Sequence, residues 1–457
     1  MNEVLAISFL AIGIVMLLKK LVLPLVEWVL TTNLKLLGVL GIILGLFFMS
    51  VSDFAWSDRL WKSALFIIGI LSTLRGLIVI FFEDFFRKVF VSWYKENYYK
   101  VAIPFSLMFF SLALLMVSRD YLGPVKNIDV CESDESISIY CEYTNPEDMA
   151  LLPDNEYLLM SEFGGIRPYE ENDGAGSFAL MRLVDKKRFT PKIIFAENTW
   201  GDPNCIRNTS DAFGPHGIDL VKRNDGAIEV GFVNHFPFES IELFELNKKE
   251  SDWVMTWRGC VNTPEENYFN DLSIRRDGSF YASHMYKRDI TINEWLSAAL
   301  FKYATGYVVK WDKESFAKVP GSLGSQPNGI GLDEDKELLY INHNLGDKLE
   351  VVDLLTGQVV GKYKINSPDN MIITDQSIWL TSLDHETFDA MPCTEDGSIN
   401  CSLPFSIHEI DRASLKKKNI YSFQETVFGF PTTAYPVGNE VYIGSFHSDR
   451  MASFTIN

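Results

Sequence analysis

The chain has 457 residues, 47% hydrophobic and 13% aromatic, which excludes a disordered polypeptide. Its formal net charge of -19 is unevenly divided: residues 1–120 carry 11 Lys/Arg and 8 Asp/Glu, and the remainder carries 30 and 52. An acidic excess of that size argues against a nucleic-acid partner and suits carboxylates that hold a cation.

Apolar runs stand at 4–18, 36–51, 64–82 and 101–117. They reach or approach the ~18 residues needed to cross hydrocarbon. Residues 1–120 therefore read as a transmembrane region of four helices, with three as the alternative. After Lys19 and Lys20 the chain stays apolar through Leu30 apart from Pro24 and Glu27, as an interfacial stretch would. The first run lacks a positively charged start and a small-x-small cleavage site, so it reads as an anchor. Lys19, Lys20 and Lys35 fall in the first loop, Arg87, Lys88, Lys95 and Lys100 in the third, and only Arg59 and Lys62 in the second. This bias puts the first and third loops in the cytoplasm and residues 121–457 on the periplasmic, extracellular or lumenal side. Arg75 falls inside the third run, where a headgroup or a helix-end carboxylate suffices as its partner.

All six cysteines lie beyond residue 130, as expected in an oxidising compartment. Cys131/Cys141 and Cys393/Cys401 are plausible short-loop pairs, which leaves Cys205/Cys260, although six cysteines allow ~15 connectivities. Neither CxxC nor a Cys/His zinc spacing occurs.

Beyond a polar linker at 119–127 come short β-rich runs, at 157–160, 227–233, 279–283, 306–311, 337–342, 349–354, 378–382 and 440–444. Turns such as Asn224-Asp225-Gly226 and Asp277-Gly278 separate them, and helical periodicity is confined to 291–303. Small polar clusters recur at Pro215-His216-Gly217-Ile218, Asn270-Asp271-Leu272, Asn328-Gly329-Ile330 and Asp369-Asn370-Met371, spaced by 54, 58 and 41 residues. A four-strand repeat of ~40–50 residues is a propeller blade. Residues 128–457 accommodate six, so the predicted fold is an all-β six-bladed propeller over 121–457 behind the helical region.

The innermost strand of each blade begins near the central channel, so equivalent residues of successive blades converge. Asn270, Asn328, Asp369 and Asn370 would meet there, with Glu147 or Asp148 from the first blade. Such an all-oxygen set matches Ca²⁺, which takes ~6–8 oxygen ligands. Each cluster alone could be an ordinary turn; four at blade-like spacing favour a metal. His216 at the start of one strand and His235 at the end of the next could share a channel mouth, one of them as a general base. Two unconnected surface histidines are the alternative.

At these residues the sequence resembles the paraoxonase/arylesterase family of calcium-dependent, six-bladed lactonases and esterases. The resemblance covers roughly 140–457 and lies in the order of Glu147-Asp148, Pro215-His216-Gly217-Ile218, Val233-Asn234-His235, Asn270-Asp271, Asn328-Gly329-Ile330 and Asp369-Asn370. It implies two ions. Glu147, Asn270, Asn328, Asp369 and Asn370 would hold a catalytic Ca²⁺, and Asp148, Asp271 and the carbonyl of Ile218 a structural one. His216 would be the proton acceptor and His235 its orienting partner. A calcium-polarised lactone or aryl-ester carbonyl would be attacked by water that the His pair activates. The family's disulfide between the two chain ends has no counterpart in Met451-Ala452-Ser453-Phe454-Thr455-Ile456-Asn457, so closure of the propeller is expected from strand pairing. His284, His343 and His385 read as ordinary histidines. Competing readings are a non-catalytic, calcium-stabilised propeller that serves a membrane-protein partner as chaperone or assembly module, and a gluconolactonase-like or strictosidine synthase-like propeller.

Overall fold

The computed structural model describes all residues except 1, 32–33, 53, 55–59, 85–92, 95, 118–122, 166–167, 169–173, 250–251, 394–399 and 457. The chain divides into two compact units, Met1–Asp120 and Tyr121–Asn457.

The first unit is helical: α1 (Asn2–Leu17), α2 (Lys19–Thr31), α3 (Leu34–Val51), α4 (Leu60–Phe81) and α5 (Tyr98–Val117). Segments within α3, α4 and α5 are long and apolar enough to cross a membrane. A fourth crossing exists only if α1 and α2 count as one span, and they are bent by 94° at Leu18. The apolar run from residue 4 thus ends in a turn, and the stretch after Lys19 is a separate helix containing Pro24. Helices α3 and α4 touch through glycines: a Cβ on Gly45 would stand 2.6 Å from the Gly69 carbonyl oxygen, so only glycine permits this approach. Ser72 Oγ donates to the Gly41 carbonyl across the same seam at 2.9 Å. Arg75 is exposed on α4. Of the basic loop residues, Arg59, Arg87, Lys88 and Lys95 lie outside the described residues, as do residues 119–122 of the polar linker.

The second unit opens with β1 (Ser138–Cys141) and continues through six sheets. Blade one is β2 (Pro146–Leu151), β3 (Tyr157–Glu162), β4 (Ser177–Arg182) and β5 (Lys187–Phe189). Blade two has β6 (Lys192–Phe195) at its outer edge, with β7 (Pro215–Lys222), β8 (Ile228–Asn234), β9 (Ser240–Lys249) and β10 (Asp252–Asn262). Blade three is β11 (Phe269–Ile274), β12 (Phe280–His284), β13 (Tyr307–Trp311) and β14 (Phe316–Lys318). Blade four is β15 (Pro327–Asp333), β16 (Leu338–His343), β17 (Lys348–Asp353) and β18 (Gln358–Lys364). Blade five is β19 (Met371–Ile373), β20 (Ser377–Leu383), β21 (Phe405–Asp411) and β22 (Lys417–Phe423). In blade six, β23 (Pro431–Val437), β24 (Glu440–Ser445) and β25 (Arg450–Thr455) take β1 as their outermost strand. The fold is a six-bladed β-propeller. The predicted helical period becomes α6 (Ile292–Phe301), whose Thr291 and Glu294 form a reciprocal N-terminal cap.

Strand alternation builds the core. Successive side chains point to opposite faces, and both faces of a blade are covered by its neighbours. Leu158 and Met160 therefore pack with Tyr442 and Met451 of blade six, while Leu159 between them packs with Phe232 and Phe244 of blade two. Six such clusters occupy the six gaps between adjacent blades.

The ring closes by pairing, as expected. Ser138 lies opposite Ser453 and Cys141 opposite Arg450. The buried Arg450 guanidinium donates to the Ile128 carbonyl at 2.8 Å and the Val130 carbonyl at 3.2 Å. The disulfides are Cys131–Cys141, Cys205–Cys260 and Cys393–Cys401.

Replacing Arg450 by Met should strand those two carbonyls and lower unfolding stability by about 3 kcal/mol. A denaturant midpoint for the full chain within error of wild type would contradict this account of closure.

Candidate functional site

Five of the six inner strands are irregular where they start. The ladder shifts register between Pro146 and Asp148, Pro215 and Ile218, Phe269 and Leu272, Pro327 and Ile330, and Pro431 and Ala434. A bulge puts two residues opposite one and re-aims the side chains on it. The residues on these bulges are the predicted clusters: Glu147-Asp148, His216-Gly217, Asn270-Asp271 and Asn328-Gly329. Asp369 and Asn370 sit immediately before β19. Proline opens four of the six inner strands, where a ladder donor can be spared.

The bulged residues form a ring. Asn370 Nδ2 donates to Glu147 Oε1 at 2.9 Å. His216 Nε2 lies 3.7 Å from the same Glu147 oxygen and 3.3 Å from Asn270 Nδ2. Asn328 and Asp369 are buried in the same ring. All these side chains are buried. Five of their oxygens accept no hydrogen bond: Glu147 Oε2, Asn270 Oδ1, Asn328 Oδ1, Asp369 Oδ1 and Asn370 Oδ1. They belong to the five residues predicted to hold the catalytic ion. An unmatched buried acceptor costs about 1–3 kcal/mol, so a set of five facing one another suits a bound cation or ordered water. Among the described residues, no group of three His, Cys, Asp or Glu forms a metal site. The ring contains two carboxylates, Glu147 and Asp369, and three amide oxygens make up the set. Hard oxygen donors of this kind fit a divalent cation.

Asp148, Asp271 and Ile218 also come together, on different terms. Asp148 Oδ1 and Oδ2 accept the amides of Met149 (2.8 Å) and Ile218 (3.0 Å). Asp271 Oδ1 and Oδ2 accept those of Leu272 (2.7 Å) and Ile330 (2.8 Å). Each aspartate thus receives an amide from the next blade. Gly217 makes room for the second: a Cβ there would fall 2.6 Å from the Asp271 Cα. Asp148 and Asp271 line a channel cavity of about 420 Å³ together with Ile218, Asp219, Ile330 and Tyr435.

These carboxylates hold their protons tightly. Burial, then repulsion from Asp148, Asp369 and Asp271, raises Glu147 well above the usual range. Burial pushes Asp148 up to about 7. Burial and then Asp148 raise Asp271 well above its usual range, and the same two causes push Asp369 up to about 8.

The histidines meet as predicted. His216 Nδ1 and His235 Nε2 are 2.9 Å apart, because Pro215 and Asn234 are ladder partners. Burial, then His235, moves His216 well below the ordinary imidazole range. Phe163 stacks on His216 with centroids 4.4 Å apart, and Tyr268 lies against His235 at 4.8 Å. His284 Nδ1 accepts the Tyr268 amide, and His343 Nε2 stands 3.1 Å from Glu350 Oε2, both away from the pair.

Comparison with known proteins places this geometry. Residues 237–432 match the family described as the SMP-30/Gluconolactonase/LRE-like region. This is a lactonase-type propeller family. The match takes in Asn270, Asn328, Asp369 and Asn370, and begins two residues after His235. No curated protein matches the chain. Among solved structures, a luciferin-regenerating enzyme is 12% identical over 69% of this chain and 92% of its own, with a TM-score of 0.42. The periplasmic gluconolactonase PpgL of Pseudomonas aeruginosa is 12% identical over 68% and 82%, with a TM-score of 0.40. Regucalcin from Agrobacterium tumefaciens, described as a calcium-binding protein, is 12% identical over 69% and 91%, with a TM-score of 0.38.

Three parts of the site escaped the sequence reading. Thr432, on the bulge of blade six, donates to the Glu147 carbonyl and occupies the sixth place of the ring. Its signal was Pro431, placed as in three other inner strands. Phe163 carried no signal. Glu239, hydrogen-bonded to His235, stands four residues after it.

The raised carboxylates set a pH dependence. A carboxyl group raised on folding binds its proton more tightly folded than unfolded, so the ion-free fold is most stable below the unfolded value of about 4 and loses stability as pH climbs through 7–8. His216, His284, His343 and His408, lowered on folding, act in the opposite sense, but Asp219, Glu229 and Glu242 are raised as well, so raised carboxyl groups outnumber lowered imidazoles. With chelator, the full chain in detergent should melt at progressively lower temperature from pH 5 to pH 8. Excess divalent cation should remove that slope. A chelated melting curve that rises over this range would rule out ionic crowding at the axis.

Proposed function

We propose that the chain is a membrane-anchored, calcium-dependent hydrolase of lactones or aryl esters, of the paraoxonase kind. The carrying observation is the ring of five unpaired oxygens beside a buried pair of hydrogen-bonded histidines. A ring alone would serve a binding module; a neutral imidazole aimed at it adds a base. The gluconolactonase-type match supports the lactone class.

Glu147, Asn270, Asn328, Asp369 and Asn370 are the proposed holders of the catalytic ion. Asp148, Asp271 and Ile218 are proposed for a second, structural one. Charge favours cations there: Glu147, Asp148, Asp219, Asp271 and Asp369 are all buried near the axis and would be balanced by divalent ions when ionised. A Ca²⁺ bound in the ring supplies a Lewis-acidic contact for a carbonyl oxygen and for the charge that grows on it. The protein's own residues do the rest. His216 Nε2 takes a proton from water near the ring, His235 shares the resulting charge through the 2.9 Å hydrogen bond, and Phe163 covers one face of the base.

Helices α3, α4 and α5 are the proposed anchor, and residues 121–457 are assigned to the periplasmic, extracellular or lumenal side. The lysine and arginine bias and three disulfides support that side.

The test is hydrolysis of a lactone panel and phenyl acetate by the full chain in detergent, with calcium and with EGTA. Turnover should require calcium. His216→Gln should lower kcat by at least ~100-fold with an unchanged melting curve. Turnover that survives either chelation or His216→Gln would defeat the mechanism. In equilibrium calcium titrations, Asp271→Asn should lose one of the two ions and melt at lower temperature. A single ion in the wild type would remove the structural site.

A further inference from the structure

The loop after His235 brings a carboxylate back onto the same imidazole. Glu239 Oε1 and Oε2 lie 2.9 and 3.1 Å from His235 Nδ1, and the Glu239 side chain is only 6% exposed. On its other edge, His235 meets His216 through Nε2. The remaining nitrogen of His216, Nε2, faces the ring and is met by Asn270 Nδ2 at 3.3 Å.

Donor and acceptor chemistry allows few arrangements of these groups. A carboxylate only accepts, so His235 Nδ1 must carry its hydrogen toward Glu239. A neutral His235 then presents a bare Nε2, and His216 must donate from Nδ1. A neutral His216 is in turn left with a bare Nε2. The amide Nδ2 of Asn270, which can only donate, faces that bare nitrogen and turns Asn270 Oδ1 into the ring, among the unpaired oxygens. The two ends of the chain of contacts agree on one tautomer for each imidazole.

We propose that Glu239 is the positioning residue of a carboxylate–imidazole–imidazole relay that fixes both tautomers and keeps His216 Nε2 unprotonated toward the oxygen ring. This inference rests on the hydrolase reading and extends it to a residue that touches neither the ring nor the reacting atoms.

The proton balance of the relay closes without another reagent. As the water oxygen adds to the ester carbonyl carbon, its proton passes to His216 Nε2. The Nδ1 proton of His216 shifts toward His235 Nε2, and the positive charge comes to lie beside the Glu239 carboxylate, which stays ionised. When the carbon–oxygen bond to the leaving group breaks, the proton returns from His216 Nε2 to the departing oxygen. Ester and water become acid and alcohol, and the relay is restored. Without Glu239, His235 is free to rotate or to hold its proton on Nε2. His216 would then carry hydrogen on Nε2, the wrong nitrogen for a base.

The test uses the calcium-loaded full chain in detergent at one fixed pH, labelled with 15N-histidine, as wild type and as Glu239→Gln, Glu239→Ala and Glu239→Asp. Solid-state 15N spectra, with His216→Gln to assign the signals, should show the wild-type His216 protonated at Nδ1 and bare at Nε2. In Glu239→Ala the His216 signals should split between two tautomers. Its kcat should fall by ~100-fold or more while KM moves less than about threefold. Glu239→Gln keeps an acceptor without the charge and should fall by only ~10-fold; Glu239→Asp should regain part of the Ala loss. An unchanged His216 pattern in Glu239→Ala overturns the relay. Should the Ala variant fail to fold, the near-isosteric Gln variant carries the same comparison, and unchanged kcat there overturns the relay. Absence of turnover in the wild type would sink the hydrolase reading, while the 15N patterns would still decide the relay.

Discussion

Glu147, Asp148, Asp271 and Asp369 are buried together at the propeller axis, and the site is organised around that crowding of carboxyl groups. Glu147 and Asp369 turn unpaired oxygens into the ring, whereas Asp148 and Asp271 are tied down by backbone amides. The amide bonds run between blades, so the same groups that crowd the axis also hold blade one to blade two and blade three to blade four. Charge density and mechanical closure are therefore coupled. The cost of concentrating like charges is offset when the carboxyl groups keep their protons or when a cation shares the axis, and above neutral pH the second route is why calcium enters the proposed function as a structural as well as a chemical element.

The bulges explain how one short stretch per blade does both tasks. A regular strand would alternate its residues into the gaps on either side, and the polar pair would fall into apolar cores such as the one containing Leu159, Phe232 and Phe244. The shift of register between Pro215 and Ile218, and at the matching places in four other blades, turns the pair toward the axis and then resumes the apolar alternation. Local irregularity at the strand start thus separates the chemistry from the packing.

This division accounts for what could be read from the sequence. The ring was legible because its members are polar residues at blade-like intervals, flanked by strands whose composition is otherwise apolar. His216 and His235 were legible as a pair because a hairpin puts the start of one strand beside the end of the next. Short separations made Cys131/Cys141 and Cys393/Cys401 plausible pairs and left Cys205/Cys260 as the remainder, while closure was expected from strand pairing without the strand being identifiable. Thr432 was not legible, since a threonine at a strand start is unremarkable until its ladder is known. Glu239 was hidden because its loop must fold back before it faces His235, and no periodicity records that. On the helical side hydropathy does not register the 94° bend between α1 and α2, on which the choice between three and four spans turns.

The closing strand has a consequence for how the protein is made. Strand β1 precedes every other strand, yet its partner is β25, so the first strand to be synthesised must wait for the last. The ring is subject to the same delay, because Glu147 of blade one meets Asn370 at the threshold of blade five. Five blades can stack as they emerge, but the axial oxygens are assembled only when the circle is complete. A cation captured there would act as a latch on the finished ring, and a chain interrupted before blade six would have neither the latch nor the active centre.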